Sequence, residues 1–285
     1  MSEFKEFAPA KINLTLRVLG KRPDGYHELE SLVAFADVGD WITLDTSKPV
    51  GVTVSGPFAG SIAGANVVDV VLQRLSEANP DLKLGAVRLE KNLPVAAGIG
   101  GGSADAAALI RAVQRANPDR IADVDWRDFS EKLGADVPVC LVSRAAWMTG
   151  IGEKVGALSG LPPLNAVLIN PLEGMPPDKT ARVFRGLGAA PLALHQSQSM
   201  PPGSFAGAVE LLAFVKQRGN GLQQSACEVA PVIADILRAL EETAGCNWAA
   251  VSGGGPTCFA LLDTEADPRA AAEALKAKYP DWWVK

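Results

Sequence analysis

The chain has 285 residues, 48% hydrophobic and 21% charged, which is the composition of a globular protein and not of a disordered one. Lys and Arg number 27 against 32 Asp and Glu, a net charge of −5, which makes a long polyanion or an anionic membrane face a poor partner. Mean hydropathy is slightly positive (+0.13), but the uncharged stretches 243–262 and 191–209 hold glycines, prolines and polar residues, so neither is expected to span a bilayer.

The first residues carry Glu3 and Glu6 and no apolar run, so no signal peptide is expected there. Cys140, Cys227, Cys246 and Cys258 form no CxxC pair, and His27 and His195 are the only imidazoles. Four buried free thiols in a cytoplasmic protein are expected, and no metal site built by the chain.

No internal repeat is visible. Residues 11–18 alternate, with Lys11, Asn13, Thr15 and Arg17 opposite Ile12, Leu14, Leu16 and Val18, as in a half-buried strand whose polar face carries Lys11 and Asn13. Turn residues at 21–25 precede strand-like segments near 29–36, 41–45 and 51–55. Asn66 caps an expected helix through Glu77 with Val67, Val70, Val71 and Leu75 as its apolar stripe. A strand near 86–90 leads to a glycine-rich loop, then a helix from Ser103 to about Ala116. Asp125 caps a shorter helix that Gly134 ends. Strands near 138–142 and 145–149 complete a mixed α/β half.

Pro162 and Pro163 mark the expected boundary between domains 1–160 and 161–285. Beyond it the pattern reads strand (164–169), helices (near 178–187, 204–217 and 230–243), strands (247–251, 257–262), helix (266–278) and a closing strand at 281–284. That order is similar to a ferredoxin-like split βαβ layout. Segment 189–203 reads as an inserted surface loop, with His195 a bystander in it.

The segment Pro94, Val95, Ala96, Ala97, Gly98, Ile99, Gly100, Gly101, Gly102, Ser103 packs four glycines into five positions just before a helix. Without Cβ atoms, successive amides can turn toward an anion, and the helix start adds unpaired N–H groups and its positive dipole end. A plain glycine hinge before a helix capped by Ser103 is the other reading. No GxxxxGK[ST] is present, and Ser103 stands where a GxGxxG would end, so neither the P-loop nor the Rossmann fingerprint applies.

Three motifs stand in order: Pro9-Ala-Lys-Ile-Asn-Leu14, the glycine loop, and Ser252-Gly-Gly-Gly-Pro-Thr257. Together they resemble the GHMP kinases, the family of galactokinase, homoserine kinase and mevalonate kinase. The likeness covers nearly the whole chain. It implies an α/β fold of two halves: an N-terminal nucleotide-binding half and a C-terminal ferredoxin-like half, with the active site in the cleft between. Arg22-Pro-Asp-Gly-Tyr-His27, Leu133-Gly-Ala-Asp-Val-Pro138, Gly150-Ile-Gly-Glu153 and Pro256-Thr-Cys-Phe259 narrow it to members acting on a cytidine diphosphate conjugate. For them the resemblance implies ATP-dependent phosphorylation of the 2-hydroxyl of a methylerythritol unit. Two departures stand out: Gly254 replaces a common serine, and Ser103-Ala104-Asp105 stands where Ser-Ser-Asn is common.

By the same resemblance, Asp136 is the carboxylate that accepts the hydroxyl proton and Lys11 its electrostatic partner. Read alone, Asp136 is a helix or turn cap and Lys11 a solvated strand residue. Gly98 to Ser103 are implied to wrap the phosphates of ATP, with Asn66 and Lys91 beside the adenosine. Asn66 is equally a helix cap, and Lys91 a strand-end cation. The resemblance places the pyrimidine between Tyr26 and Phe184 with His27 at its polar edge; Phe184 also fits the apolar face of its helix with Val183 and Leu187. Asn13, Thr180, Gly253, Gly254, Gly255 and Thr257 are further implied substrate contacts. Mg²⁺ is expected to arrive with the nucleotide. A monomer or weak homodimer, without nucleic-acid or membrane partners, is expected. A homoserine- or mevalonate-type kinase and a non-catalytic nucleotide-binding regulator stay open as alternatives.

Overall fold

A computed structural model describes residues 2–62, 64–173, 175–176, 178–193 and 203–285. The elements run β1 (Glu3–Asn13), β2 (Arg17–Lys21), β3 (His27–Asp45), β4 (Gly51–Ser55), α1 (Val67–Ala78), β5 (Ala86–Glu90), α2 (Gly101–Ala116), α3 (Trp126–Leu133) and α4 (Val137–Val142). They continue β6 (Ala146–Gly150), β7 (Lys154–Ala157), β8 (Asn165–Asn170), α5 (Lys179–Leu187), α6 (Ala208–Arg218), α7 (Gln223–Val229), α8 (Val232–Glu241), β9 (Cys246–Val251), β10 (Cys258–Leu262), α9 (Pro268–Lys278) and β11 (Trp283–Val284). No helix among the described residues is long and apolar enough to cross a membrane.

Two compact units interleave along the chain. The first comprises Met1–Lys11, Phe35–Ala96 and Gly100–Arg144, the second Ile12–Ala34, Ala97–Ile99 and Ala145–Lys285. In the first, the far half of β3 pairs antiparallel with β5, and β5 pairs parallel with β4. Helix α2 is alanine-rich, a strong helix former, and buries Ala104 to Ile110 almost without a break. With Val68, Val71, Leu72 and Leu75 of α1 it supplies much of this unit's core. In the second unit the near half of β3 pairs with β2 and β6. A four-stranded antiparallel sheet follows, ordered β11-β8-β10-β9. The chain order strand, helices, two strands, helix, strand gives the ferredoxin-like pattern expected from 164 onward. Its core gathers Val167, Ile169, Ile233, Ile236, Leu240, Val251 and Ala260.

Several local expectations are corrected. The strand expected at 11–18 begins at Glu3, ends at Asn13, and is buried on both faces at its far end, Lys11 and Asn13 included. Segments 29–36 and 41–45 are one 19-residue strand. The buried stripe of α1 is Val68, Val71, Leu72 and Leu75, rotated from the one expected, although Asn66 caps it through a bond from the Val68 amide. Residues 138–142 are helix α4 and not a strand: Pro138 sits in its first turn, where a missing N–H costs nothing, whereas in a ladder it would break a bond. Helix α7 has no counterpart in the expected order. All four cysteines are free, but only Cys140 and Cys258 are buried; Cys227 and Cys246 are half-buried. Most of the loop expected at 189–203, with His195, lies outside the described residues.

Candidate active site

In the first unit, β1 brings Lys11 beneath the start of α2. Its Nζ lies 3.0 Å from Asp136 Oδ2, with Lys11 buried and Asp136 about one-third exposed. Asp136 occupies the N-cap position of α4 but makes no side-chain capping bond, so its carboxylate faces the ammonium. That carboxylate is a half-open base held beside a fixed positive charge.

Helix α2 begins two residues before Ser103, at Gly101, and its N-cap is Gly100, left-handed at φ +64° with no side-chain cap. A Cβ at Gly100 would lie 3.2 Å from Lys11 Cβ and 3.8 Å from Cys140 Sγ; one at Gly101 would lie 3.3 Å from Lys91 Nζ. The glycines therefore let two lysines approach the helix start. Two ammonium groups at the positive end of a helix dipole suit an anion. Gly102 is exposed and Ser103 half-buried there, while Val95 and Ala96 stand open to solvent and Pro94 is buried. Lys91 is buried between Asp40 and Asp105, 2.6 Å from the latter's Oδ2. Burial works against its charge, but the two carboxylates outweigh it and raise the Lys91 pKa. Asn66 uses its oxygen as the α1 cap, and its buried Nδ2 has no hydrogen-bond partner among the described residues, a donor available to a ligand.

In the second unit, Ala97 to Ile99 pack on the late loop. Thr257 N donates to Ala97 O at 3.1 Å and Ser252 Oγ to Gly98 O at 3.2 Å. A Cβ at Gly98 would sit 2.4 Å from Gly255 O, so only glycine permits this approach. The Asn13 amide donates to Ser252 Oγ, and its side chain donates to Ser31 Oγ at 2.7 Å. Gly253 and Gly255 are left-handed, and Thr257 Oγ1 accepts from Asn170 Nδ2 at 2.8 Å. Lys179, in the first turn of α5, is buried and donates to Gly255 O; burial lowers its pKa to about 8. A Cβ at Gly254 would lie 3.7 Å from Val183 Cγ1, an ordinary contact, so the glycine there is not required by crowding at the Cβ.

Helix α5 also presents Thr180 and Phe184 to a cavity of about 610 Å³ that Lys21, Gly25, Tyr26, His27 and Arg185 help to line. The His27 ring stacks on Phe184 with centroids 4.8 Å apart and planes 23° off parallel. Burial, with Lys21 nearby, pushes the imidazole pKa down, which favours its neutral form. Tyr26 is 60% exposed in a turn that Asp24 fixes by accepting from its amide. The ring on Phe184 is thus His27, with Tyr26 free above the turn. A larger groove, about 910 Å³ beside Thr243 and Asp267, holds none of the residues marked in the sequence.

Asp40, Asp105 and Lys179 did not stand out in the sequence reading as site residues. The signal for Asp105 is a lone charge in the apolar run Ala104 to Ile110; for Lys179 it is the i,i+4 spacing to Val183 on the buried face of α5.

Residues 65–144 match the model of the GHMP kinases N terminal domain, and residues 206–281 that of the GHMP kinases C terminal. A protein of Methylobacterium radiotolerans named 4-diphosphocytidyl-2-C-methyl-D-erythritol kinase is 49% identical, over all of this chain and 98% of its own. One of the same name from Rhodopseudomonas palustris is 46% identical, over 98% and 95%. Among solved structures, a 4-(cytidine 5'-diphospho)-2C-methyl-D-erythritol kinase superposes with a TM-score of 0.71 at 29% identity, covering 99% of this chain and 98% of that one.

Proposed function

The chain belongs to the GHMP kinase family and is an ATP-dependent kinase, and from that premise we propose that it phosphorylates the 2-hydroxyl of 4-diphosphocytidyl-2-C-methyl-D-erythritol, a step of non-mevalonate isoprenoid synthesis. In this reading residues 1–160 are the nucleotide-binding domain and 161–285 the ferredoxin-like one. The observation that carries it is the Lys11–Asp136 pair at 3.0 Å, with the carboxylate released from capping duty.

Asp136 takes the proton of the 2-hydroxyl as that oxygen bonds to the γ-phosphorus of ATP and the bond to ADP breaks. Lys11, 3.0 Å from Asp136, offsets charge developing on the oxygen. The amides of Gly98 to Ser103 hold the phosphates. Asn66 Nδ2 and Lys91 lie on the adenosine side, and Gly253 to Gly255, Thr257, Asn13 and Thr180 position the acceptor. Tyr26 and Phe184 stack on the cytosine, with His27 turning from Phe184 to the base's polar edge. Mg²⁺ neutralises phosphate charge when it is bound.

Asp136→Asn should lower kcat at least about a hundredfold in a coupled ADP assay with this substrate, while binding of the cytidine conjugate is kept. Full activity in that variant would remove the base assignment. Turnover with homoserine or mevalonate but not with the cytidine conjugate would overturn the substrate.

A further inference from the structure

Asp40 on β3, Lys91 just beyond β5 and Asp105 in α2 form a closed cluster in which each side chain is at least nine-tenths buried. Lys91 Nζ donates to Oδ2 of both carboxylates. With every group ionised the cluster would carry a net negative charge. It sits directly under the first turn of α2, because Lys91 Nζ lies 3.3 Å from the place a Cβ on Gly101 would take. An uncompensated buried anion there would be costly in itself and would oppose the charge of a bound polyphosphate.

The donors are shared unequally. Asp40 accepts from Lys91 Nζ on one oxygen, and from the Asn92 and Leu93 amides, the latter at 2.8 Å, on the other. Among the described residues Asp105 accepts from Lys91 alone, and its buried Oδ1 has no hydrogen-bond partner. Two carboxyl groups thus share one buried cation, and Asp105 is the one with fewer donors to stabilise a negative charge.

We infer that Asp105 is a neutral carboxylic acid in the folded protein. It is a positioning residue that leaves the cluster without net charge beneath the amides of the glycine loop. Burial raises the Asp105 carboxyl well above the usual carboxylate range; Lys91 opposes that and Asp40 adds to it. Further titratable or charged groups near this cluster are Cys140 and Asp136 at α4, Lys11 on β1 and Arg111 within α2. The buried residues of α1 are the apolar Val68, Val71, Leu72 and Leu75.

The positioning role rests on the ATP reading above; the protonation does not. Infrared spectra at neutral pH should show the carbonyl band of a protonated carboxylic acid, absent in Asp105→Asn. It should also be absent in Asp40→Asn, where Asp105 is the only carboxylate left to Lys91 and ionises. A retained proton makes wild-type folding fall by about tenfold per pH unit relative to Asp105→Asn, above the unfolded-state carboxyl pKa and below the folded one. In kinase assays Asp105→Ala should raise the KM for ATP about tenfold with little change in kcat, and Asp105→Asn should restore it to within about twofold. No band in the wild type, a band that survives in either Asn variant, or Asp105→Asn failing to fold would each overturn the inference. If the ATP reading alone is wrong, the KM arm is lost while the band and the pH slope remain.

Discussion

Asp136 and Phe184 show how one residue type acquires a role from its setting. An aspartate at a helix N-cap ordinarily accepts backbone amides, but here the carboxylate meets Lys11 instead. Phe184 lies two-thirds of the way along α5 and is covered on one face by a mostly neutral His27. Phe184→Ala should therefore raise the KM for a cytidine substrate by about tenfold, as one lost base stack predicts, and leave the KM for ATP unchanged. Equal losses for both substrates would mean that Phe184 serves the core alone. Lys179 gives a pH test. Its folded pKa of about 8 lies below the ordinary lysine value, so the unfolded chain binds the extra proton between about pH 8 and 10.5. Stability should rise with pH across that window, recovering on the order of 3 kcal/mol that burial of the ammonium costs at neutral pH. Lys179→Met should lack this rise in urea titrations. None of these settings can be read from residue type, because each depends on a partner far away in the chain.

At the scale of elements, helix caps and turn glycines were legible because their physics is local. Asn66 and Asp125 cap α1 and α3 as their sequences indicate, and both bonds span two or three residues. Asp125→Ala should cost about 1 kcal/mol in thermal unfolding. The glycine loop ahead of a helix was legible, but the start of α2 was not. Ser103 looks like a cap, while the helix begins at Gly101 because Gly100 can take a left-handed φ beside Lys11. Residues 138–142 misled for the same kind of reason: Val-Pro-Val reads as strand, and only the packing of α2 against α4 makes a helical turn the better burial. Gly98→Ala combines a left-handed residue at φ +77° with a 2.4 Å approach to Gly255 O, so it should destabilise by at least about 1–3 kcal/mol. A melting temperature within error of wild type would contradict the loop packing.

For the whole molecule, the two sheets divide the stability. Ile233 is fully buried in the core of the four-stranded sheet and Leu109 in that of the first unit, so truncating either to alanine should cost about 2–5 kcal/mol in denaturant unfolding. The charge of −5 is expressed over the surface, while the glycine loop brings Lys11 and Lys91 to one helix end. Both lysines are matched there by carboxyl groups, so the helix end and the loop amides, more than net side-chain charge, are what suit a small polyphosphate. By itself the sequence determined the order of strands in the second half, the caps of α1 and α3, the glycine loops and the family, because periodicity, turn chemistry and motif spacing act over a few residues. Only the tertiary structure decided that Lys11 and Asn13 are buried, that Asp136 faces a lysine, that His27 lies on Phe184, and that Asp40 and Asp105 share one cation. Those facts are set by burial and by groups brought together across as many as 157 positions of chain, as His27 and Phe184 are, and desolvation makes them decisive where local propensity is indifferent.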